Sequence, residues 1–398
     1  MKILVINSGS SSIKYQLLDM ENERLLCKGL VERIGIPGSV LKHKKAGEKF
    51  PVERPIPNHD EGLKLVLETL TDGKMGVIDS LDEIQAVGHR VVHGGEKFTS
   101  STIVDEDVLK ALEEHAYLAP LHNPPNIMGI RASMKLLPGI PNAVVFDTSF
   151  HTTMPEHAYL YALPLDYYRK YKIRRYGFHG TSHRYIALRT AQLLERPVDE
   201  LKIISCHLGN GASLAAIDKG RSVDTSMGFT PLEGLIMGTR SGDLDPSILV
   251  FLQEKENMSV EEIYNLLNKK SGILGLSDNF SSDMRDIEDK AIEKEPVCRR
   301  ALSAYEYRIA KYIGAYTASM NGVDAIVFTA GVGENSPILR QEICEDYLGY
   351  LGVEIDRERN DVKGDERFIS TKDSKVDVLI VPTNEELMIA RDTAELIG

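Results

Sequence analysis

Two stretches of this chain share one grammar, and together they constrain its fold more than anything else in it. Residues 3–19 read ILVINSGSSSIKYQLLD: an apolar strand, a polar turn containing Gly9, then a second strand opening Ile13-Lys14. Residues 201–218, LKIISCHLGNGASLAAID, repeat the order: apolar strand, Gly209-Asn210-Gly211, second strand, Asp. Gly9 corresponds to Gly209, and Asp19 to Asp218 within one residue. Residues 23–34 and 221–225 supply a third strand to each copy. A β-β-β unit that recurs half a chain apart starts one domain each time. Residue identity between the copies is low, so position and pattern carry the repeat. At 398 residues the chain exceeds one ordinary core, which also favours two domains.

Between and after the copies the pattern alternates. Residues 35–57 are rich in Pro, Gly and Lys and read as a loop or irregular excursion. Residues 62–70, 105–118, 182–194, 260–268 and 297–321 have helical periodicity, with Gly180 placed before the third of these. Residues 84–93, 143–147, 324–329 and 376–381 read as strands, the last-but-one running into a glycine-rich turn at 331–335. A closing helix over 383–397 has Thr383 and Glu386 at capping-box spacing. The class is α/β with two sheets, hence two similar domains facing across a cleft.

Composition excludes several functions. A net charge of −12 argues against non-specific nucleic-acid binding, and any anion site must be built from local positive groups. No apolar run is long enough for a bilayer, and the N-terminus lacks a signal peptide's apolar core. Four scattered cysteines (Cys27, Cys206, Cys298, Cys344) fit neither a disulfide framework nor a zinc site, so a reducing cytoplasm is expected.

The chemistry-bearing residues cluster in loops. Three glycine-containing turns follow buried strands, at Asn7–Ser12, Gly209–Gly211 and Gly331–Asn335, and polar turns of this kind cradle phosphate. Neither G-x-G-x-x-G nor a P-loop is present, so both of those nucleotide folds lack support. Lys14 can reach an anion as a point charge. Asp147, at a strand end, suits metal-bound water, proton transfer or capping of the next turn. Glu385, in the first turn of the last helix, suits either the helix N-terminus or Mg²⁺. Arg90 and Val92 alternate on one strand, a guanidinium beside a small apolar group, as a short carboxylic acid requires. His179 and His183 lie four apart without H-E-x-x-H, so zinc is not expected. Arg240 stands in a polar loop, MGTRSGD, that apolar packing does not explain.

Five segments in order (Asn7-Ser-Gly-Ser-Ser-Ser-Ile-Lys14, Val144-Val-Phe-Asp-Thr-Ser-Phe-His151, Gly177-Phe-His-Gly-Thr-Ser-His183, His207-Leu-Gly-Asn-Gly211 and Gly331-Val-Gly-Glu-Asn335) resemble the acetokinase family, within the actin, Hsp70 and sugar-kinase superfamily. The resemblance runs to Pro382-Thr-Asn-Glu-Glu386 and so covers essentially the whole chain. It implies two actin-like (ribonuclease H-like) domains with a duplicated β-β-β-α-β-α-β-α core: 1–149, completed by the helix 383–398, and a nucleotide-binding 150–382. It implies reversible transfer of the ATP γ-phosphoryl group to acetate, giving acetyl phosphate and ADP on the way to acetyl-CoA, with Mg²⁺ (or Mn²⁺ in its place) and a cytoplasmic homodimer. By position, Asn7 and Glu385 stand near the metal. Lys14, His207, Leu208, Gly209, Asn210, Gly211, Asp283, Met284, Arg285, Gly331, Val332, Gly333, Glu334 and Asn335 hold ATP. Arg90 binds the carboxylate; Val92, Leu121, Phe178 and Pro231 wall the methyl pocket. Asp147 is the active-site acid, and His179 and Arg240 stabilise the transition state.

Acetate, with a pKa near that of Glu, about 4.3, is already ionised at pH 7 and needs no general base. Asp147 is therefore expected to organise metal-bound water or orient an arginine. Propionate or butyrate is the alternative substrate, since one methylene is worth only ~1–3 kcal/mol of discrimination. A chaperone or filament protein of the superfamily is the alternative from another class.

Overall fold

Strand β1 (Lys2–Gly9) turns through Ser10-Ser11 into β2 (Ser12–Asp19), with Gly9 opposite Ser12 and Lys2 opposite Asp19. In the second copy β9 (Lys202–Leu208) reaches β10 (Ala212–Asp218) through three residues, 209–211, with Leu208 opposite Ala212. The one-residue offset between the copies arises because β10 has 7 residues where β2 has 8. These coordinates are a computed structural model describing every residue except His115, Tyr117, Leu118, Pro120 and Leu121. The expected helix 105–118 is seen as Glu106–Glu114; three of the remaining positions, and Leu121 of the expected methyl pocket, lie outside the described residues.

The chain divides into two units, Met1–Phe150 with Asn384–Gly398, and His151–Thr383. Unit 1 holds an eight-stranded sheet that adds β3 (Arg24–Glu32), β4 (Val40–Lys45), β5 (Glu48–Glu53), β6 (Ile84–Val91), β7 (Thr102–Ile103) and β8 (Asn142–Phe146), in the order β5-β4-β3-β2-β1-β6-β8-β7. Unit 2 holds six strands, adding β11 (Arg221–Thr225), β12 (Ala325–Thr329), β13 (Arg367–Phe368) and β14 (Asp377–Ile380), in the order β11-β10-β9-β12-β14-β13. The central five strands coincide: β3-β2-β1-β6-β8 against β11-β10-β9-β12-β14. In both, the first three are antiparallel and the last three parallel.

The parallel strands explain the apolar runs. All of β12 and all but the first residue of β9 are buried, as strands covered on both faces must be. The helices Pro296–Ser319 and Gly180–Leu193 pack on that sheet. In unit 1, Leu63, Val66, Leu67 and Leu70 of the helix His59–Leu70 join Leu4, Ile6, Leu17 and Val87 in one core. The closing helix Glu385–Ile397 packs on β1, β6 and β8. A Cβ on Gly88 would lie 2.5 Å from Thr393 Oγ1 and 2.7 Å from Ile389 Cγ2, so glycine is what lets that helix approach β6. Each repeat thus lends its last helix to the other unit. The helix after β8 packs in unit 2, and the helix after β14 in unit 1.

Four local expectations need correction. Residues 35–57 contain the β4–β5 hairpin; β5 is an edge strand, where Pro51 and Lys49 are tolerated because one ladder side faces solvent. The 331–335 turn is a short helix, Ala330–Asn335. The helix expected from 182 starts at Gly180, with His179 as its N-cap in the left-handed region, φ 56°. The last helix is capped by Asn384, whose side chain accepts from Leu387 N; the Thr383 hydroxyl instead bonds Ser182 Oγ at 2.8 Å.

Candidate active site

Parallel pairing brings two charged side chains together in unit 1. β6 and β8 run side by side, with Arg90 level with Val145, and Asp147 N donates to Val91 O at 3.0 Å. Arg90 and Asp147 thereby form a two-pronged pair, Nε to Oδ1 at 3.0 Å and Nη2 to Oδ2 at 2.5 Å. Asp147 is 1 % exposed. Glu385 Oε2 lies 4.0 Å from Arg90 Nε. Burial opposes the Arg90 charge, but the Asp147 and Glu385 carboxylates outweigh it and raise its pKa. Burial pushes the Glu385 carboxyl up to about 7, with Asp147 and Glu386 adding to the rise and Arg90 and Lys14 opposing it. One edge of Arg90 is thus taken by Asp147, and its remaining N–H groups are available for a second anion.

Two asparagines, which sequence reasoning missed, brace the end of β6. Asn126 accepts from Val92 N at 3.2 Å and donates to Ser8 O at 2.7 Å; Asn123 bonds both backbone groups of His93. Their signal was His-Asn-Pro-Pro-Asn, with proline in the first turn of the helix Asn123–Leu136. Val92 is buried. Lys14 sits opposite Asn7 across the hairpin and ion-pairs with Glu386.

A hard divalent cation takes oxygen ligands, and Mg²⁺ uses one or two carboxylates together with substrate phosphates. Among the described residues no group of three or more His, Cys, Asp or Glu side chains could hold a metal ion. Unit 1 offers Asn7, Asp147 and Glu385, all oxygen donors. A cation beside Glu385 would offset the burial that holds its carboxyl near neutrality. The donor set fits Mg²⁺.

Unit 2 contains a cavity of about 800 Å³. Gly209, Asn210, Asp283, Met284, Arg285, Gly331, Val332 and Asn335 line it, as do Gly238, Ile273, Ser282, Glu288, Asp289, Tyr305, Ser336 and Lys363, which the sequence did not single out. His207, Leu208, Gly211, Gly333 and Glu334 are not in its wall. Leu208 is core, and Glu334 braces the backbone by accepting from Ala330 N at 2.8 Å and Thr383 N at 3.2 Å. Asp283 caps the helix Met284–Ile292 and pairs with Arg285. Fully buried Arg340 donates to Gly333 O, Asn360 O and Val362 O, fixing the short helix at the cavity wall.

Beside the Gly209–Gly211 turn lie a histidine stack and an arginine. A Cβ on Gly211 would be 3.5 Å from Arg240 Nη1 and 3.8 Å from His179 Nε2, so both side chains flank this turn. His179 stacks on His207 with centroids 4.1 Å apart. His179 Nδ1 meets Ser213 Oγ at 2.9 Å, and His207 Nδ1 meets Ser182 Oγ at 2.8 Å. Arg240 donates to Pro231 O at 3.0 Å. It has no carboxylate partner among the described residues, and burial lowers its pKa. A half-buried guanidinium without a counter-charge is suited to an anionic ligand. Phe178 is buried, with its carbonyl accepting from His151 Nε2 at 3.0 Å.

A sequence model of the acetokinase family matches residues 2–391. The acetate kinase of Thermosipho melanesiensis is 72% identical over 397 residues, covering 100% of this chain and 98% of that protein. The crystal structure of Porphyromonas gingivalis acetate kinase matches at TM-score 0.96 with 50% identity, covering all of both chains. A propionate kinase from Francisella tularensis matches at TM-score 0.92 with 40% identity, also over all of both chains.

Proposed function

The chain belongs to the acetokinase family, with its actin-like two-domain fold, and from that premise we propose that it is an acetate kinase, moving the ATP γ-phosphoryl group reversibly to acetate to give acetyl phosphate and ADP. Full-length identity of 72% to an acetate kinase carries this reading. Propionate kinase shares the fold at lower identity, so the fold alone does not choose the acid. ATP-dependent acyl hydroxamate formation from the C2, C3 and C4 acids tests it. The highest kcat/KM is expected for acetate, and a preference for C3 or C4 overturns it.

Phosphoryl transfer depends on alignment and on cancelling charge, here between an anionic acceptor and ATP. Arg90 meets the acetate carboxylate with the N–H groups that Asp147 leaves unused, and Val92, two residues on, walls its methyl. Asp147 orients Arg90; acetate brings no proton to remove. A solvent isotope effect on kcat that vanished in Asp147→Asn would contradict this. Arg240 and His179 neutralise charge developing on the transferred group, and the unit 2 cavity holds the nucleotide, with Lys14 near a phosphate. Asn7 and Glu385 would hold Mg²⁺, or Mn²⁺ in its place. When bound, that ion supplies positive charge to the phosphate oxygens.

The protein acts as a homodimer in the cytoplasm. The helix Ser247–Glu256 supports the dimer: none of its residues is buried, and Ile248, Val250 and Phe251 are exposed. Sedimentation velocity tests it, a monomer at micromolar concentration being the contrary result. Among the described residues no helix is long and apolar enough to cross a membrane.

A further inference from the structure

Behind His179 runs a chain of buried groups that the reaction does not touch. His183 is fully buried and each ring nitrogen meets one hydroxyl: Nδ1 to Ser205 Oγ at 2.8 Å and Nε2 to Ser213 Oγ at 2.8 Å. Ser213 Oγ continues to His179 Nδ1 at 2.9 Å. Ser205 and Ser213 are both fully buried. Burial, reinforced by the His151 and His207 rings, pushes the His183 pKa well below the ordinary imidazole value. His183 is therefore neutral, with one N–H donor and one bare acceptor nitrogen.

Each serine hydroxyl has one hydrogen to give, so the chain can point only two ways. Pointing outward, Ser205 donates to His183 Nδ1, His183 Nε2–H donates to Ser213, and Ser213 donates to His179 Nδ1. Every hydrogen is used. Pointing inward, His179 Nδ1–H donates to Ser213, Ser213 to His183 Nε2, and His183 Nδ1–H to Ser205. The Ser205 hydrogen then has no acceptor among the described residues, a buried donor left unmade. The outward direction wins.

We propose that Ser205, His183 and Ser213 form a directional hydrogen-bond chain that fixes the tautomer of His179, making Ser213 and His183 positioning residues for phosphoryl transfer. With Nδ1 accepting from Ser213, neutral His179 carries its proton on Nε2, the nitrogen beside the Gly209–Gly211 turn. It presents an N–H donor to a phosphoryl oxygen without having to be charged. The opposite tautomer would aim a lone pair at an anion. The inference rests on the role proposed for His179, but the tautomer itself is a property of the free enzyme.

Long-range ¹H–¹⁵N spectra of the full-length protein with ¹⁵N-labelled histidine test it. The wild type is expected to show His179 protonated at Nε2 and bare at Nδ1. Ser213→Ala is expected to give a mixture of tautomers. Its kcat should fall by up to about 100-fold, the cost of losing an oriented donor outright, with KM for ATP and acetate within about threefold. Ser213→Thr, which keeps the hydroxyl, should restore both. Ser205→Ala is the second variant, cutting the chain two bonds from His179 with the same loss of tautomer preference. A wild-type His179 protonated at Nδ1, or an unchanged tautomer in both alanine variants, overturns the proposal. Full kcat in His179→Ala would instead remove the catalytic role of His179 and leave the tautomer result standing.

Discussion

Arg90 holds an acid of its own before it meets a substrate, and this shapes what its replacement does. Lysine keeps the charge but not the planar fork, so it cannot grip Asp147 with two bonds while offering others outward. Arg90→Lys is expected to lower kcat/KM for acetate by about 100-fold, by analogy with losing an oriented donor. KM for ATP should stay within threefold; an equal loss for ATP in steady-state kinetics would contradict the assignment. His89 shows another residue-scale effect. Its ring is buried and donates to Asn142 Oδ1 at 2.8 Å; burial drives its pKa down to about 4, against the partial opposition of that bond. Below about pH 6.5 the unfolded chain binds a proton that the folded one refuses until about pH 4. The wild-type advantage over His89→Gln should therefore shrink as pH falls through that window, by ~1.4 kcal/mol per unit. Urea unfolding of both proteins at pH 7, 6 and 5 checks this, and a constant gap refutes it. Sequence pattern singled out Arg90 and Asp147 separately, as a strand arginine and a strand-end acid. An arginine partner for Asp147 was expected on chemical grounds, but that it is Arg90 was not legible, because the pairing depends on β6 and β8 being neighbours, with the two residues 57 apart in sequence. Glu288 and Tyr305 were invisible for the same reason: each sits in an ordinary helical pattern until the tertiary fold turns it toward the cavity.

At the scale of elements, the duplicated three-strand start was legible because strands buried on both faces leave unbroken apolar runs. The β4–β5 hairpin was not. VLKHKK, which lies between β3 and the edge strand β5, buries only Leu41 and His43, too few to leave an apolar run. The Ala330–Asn335 helix was also missed: two glycines in six residues suggest a turn, yet Glu334 and Arg340 hold the segment helical. Ala330 opens it at φ 65°, in the left-handed region that disfavours a Cβ. Ala330→Gly removes that strain, worth roughly 1 kcal/mol, and should raise the urea midpoint slightly despite the lost methyl. A lowered midpoint would show that Cβ packing outweighs the strain.

At the scale of the whole molecule, the swapped last helices decide what each unit needs. A chain ending at Thr383 lacks the helix that covers β1, β6 and β8, and lacks Glu385. The cavity-lining residues all belong to the other unit. Hydrogen exchange should rise in β1 and β6 and stay slow in β9 and β12, while nucleotide binding survives and acetate phosphorylation is lost. Equal loosening of both sheets would contradict this. The same swap sets a timetable for synthesis. Residues 1–150 contain all eight strands of unit 1, but its covering helix is made only after the whole of unit 2. At ~5–20 residues per second, the intervening stretch delays that helix by roughly 12 to 50 s. Throughout that interval the nascent sheet keeps its apolar β1 and β6 face open, with Gly88 awaiting Ile389 and Thr393. Unit 1 is begun before unit 2 and completed after it.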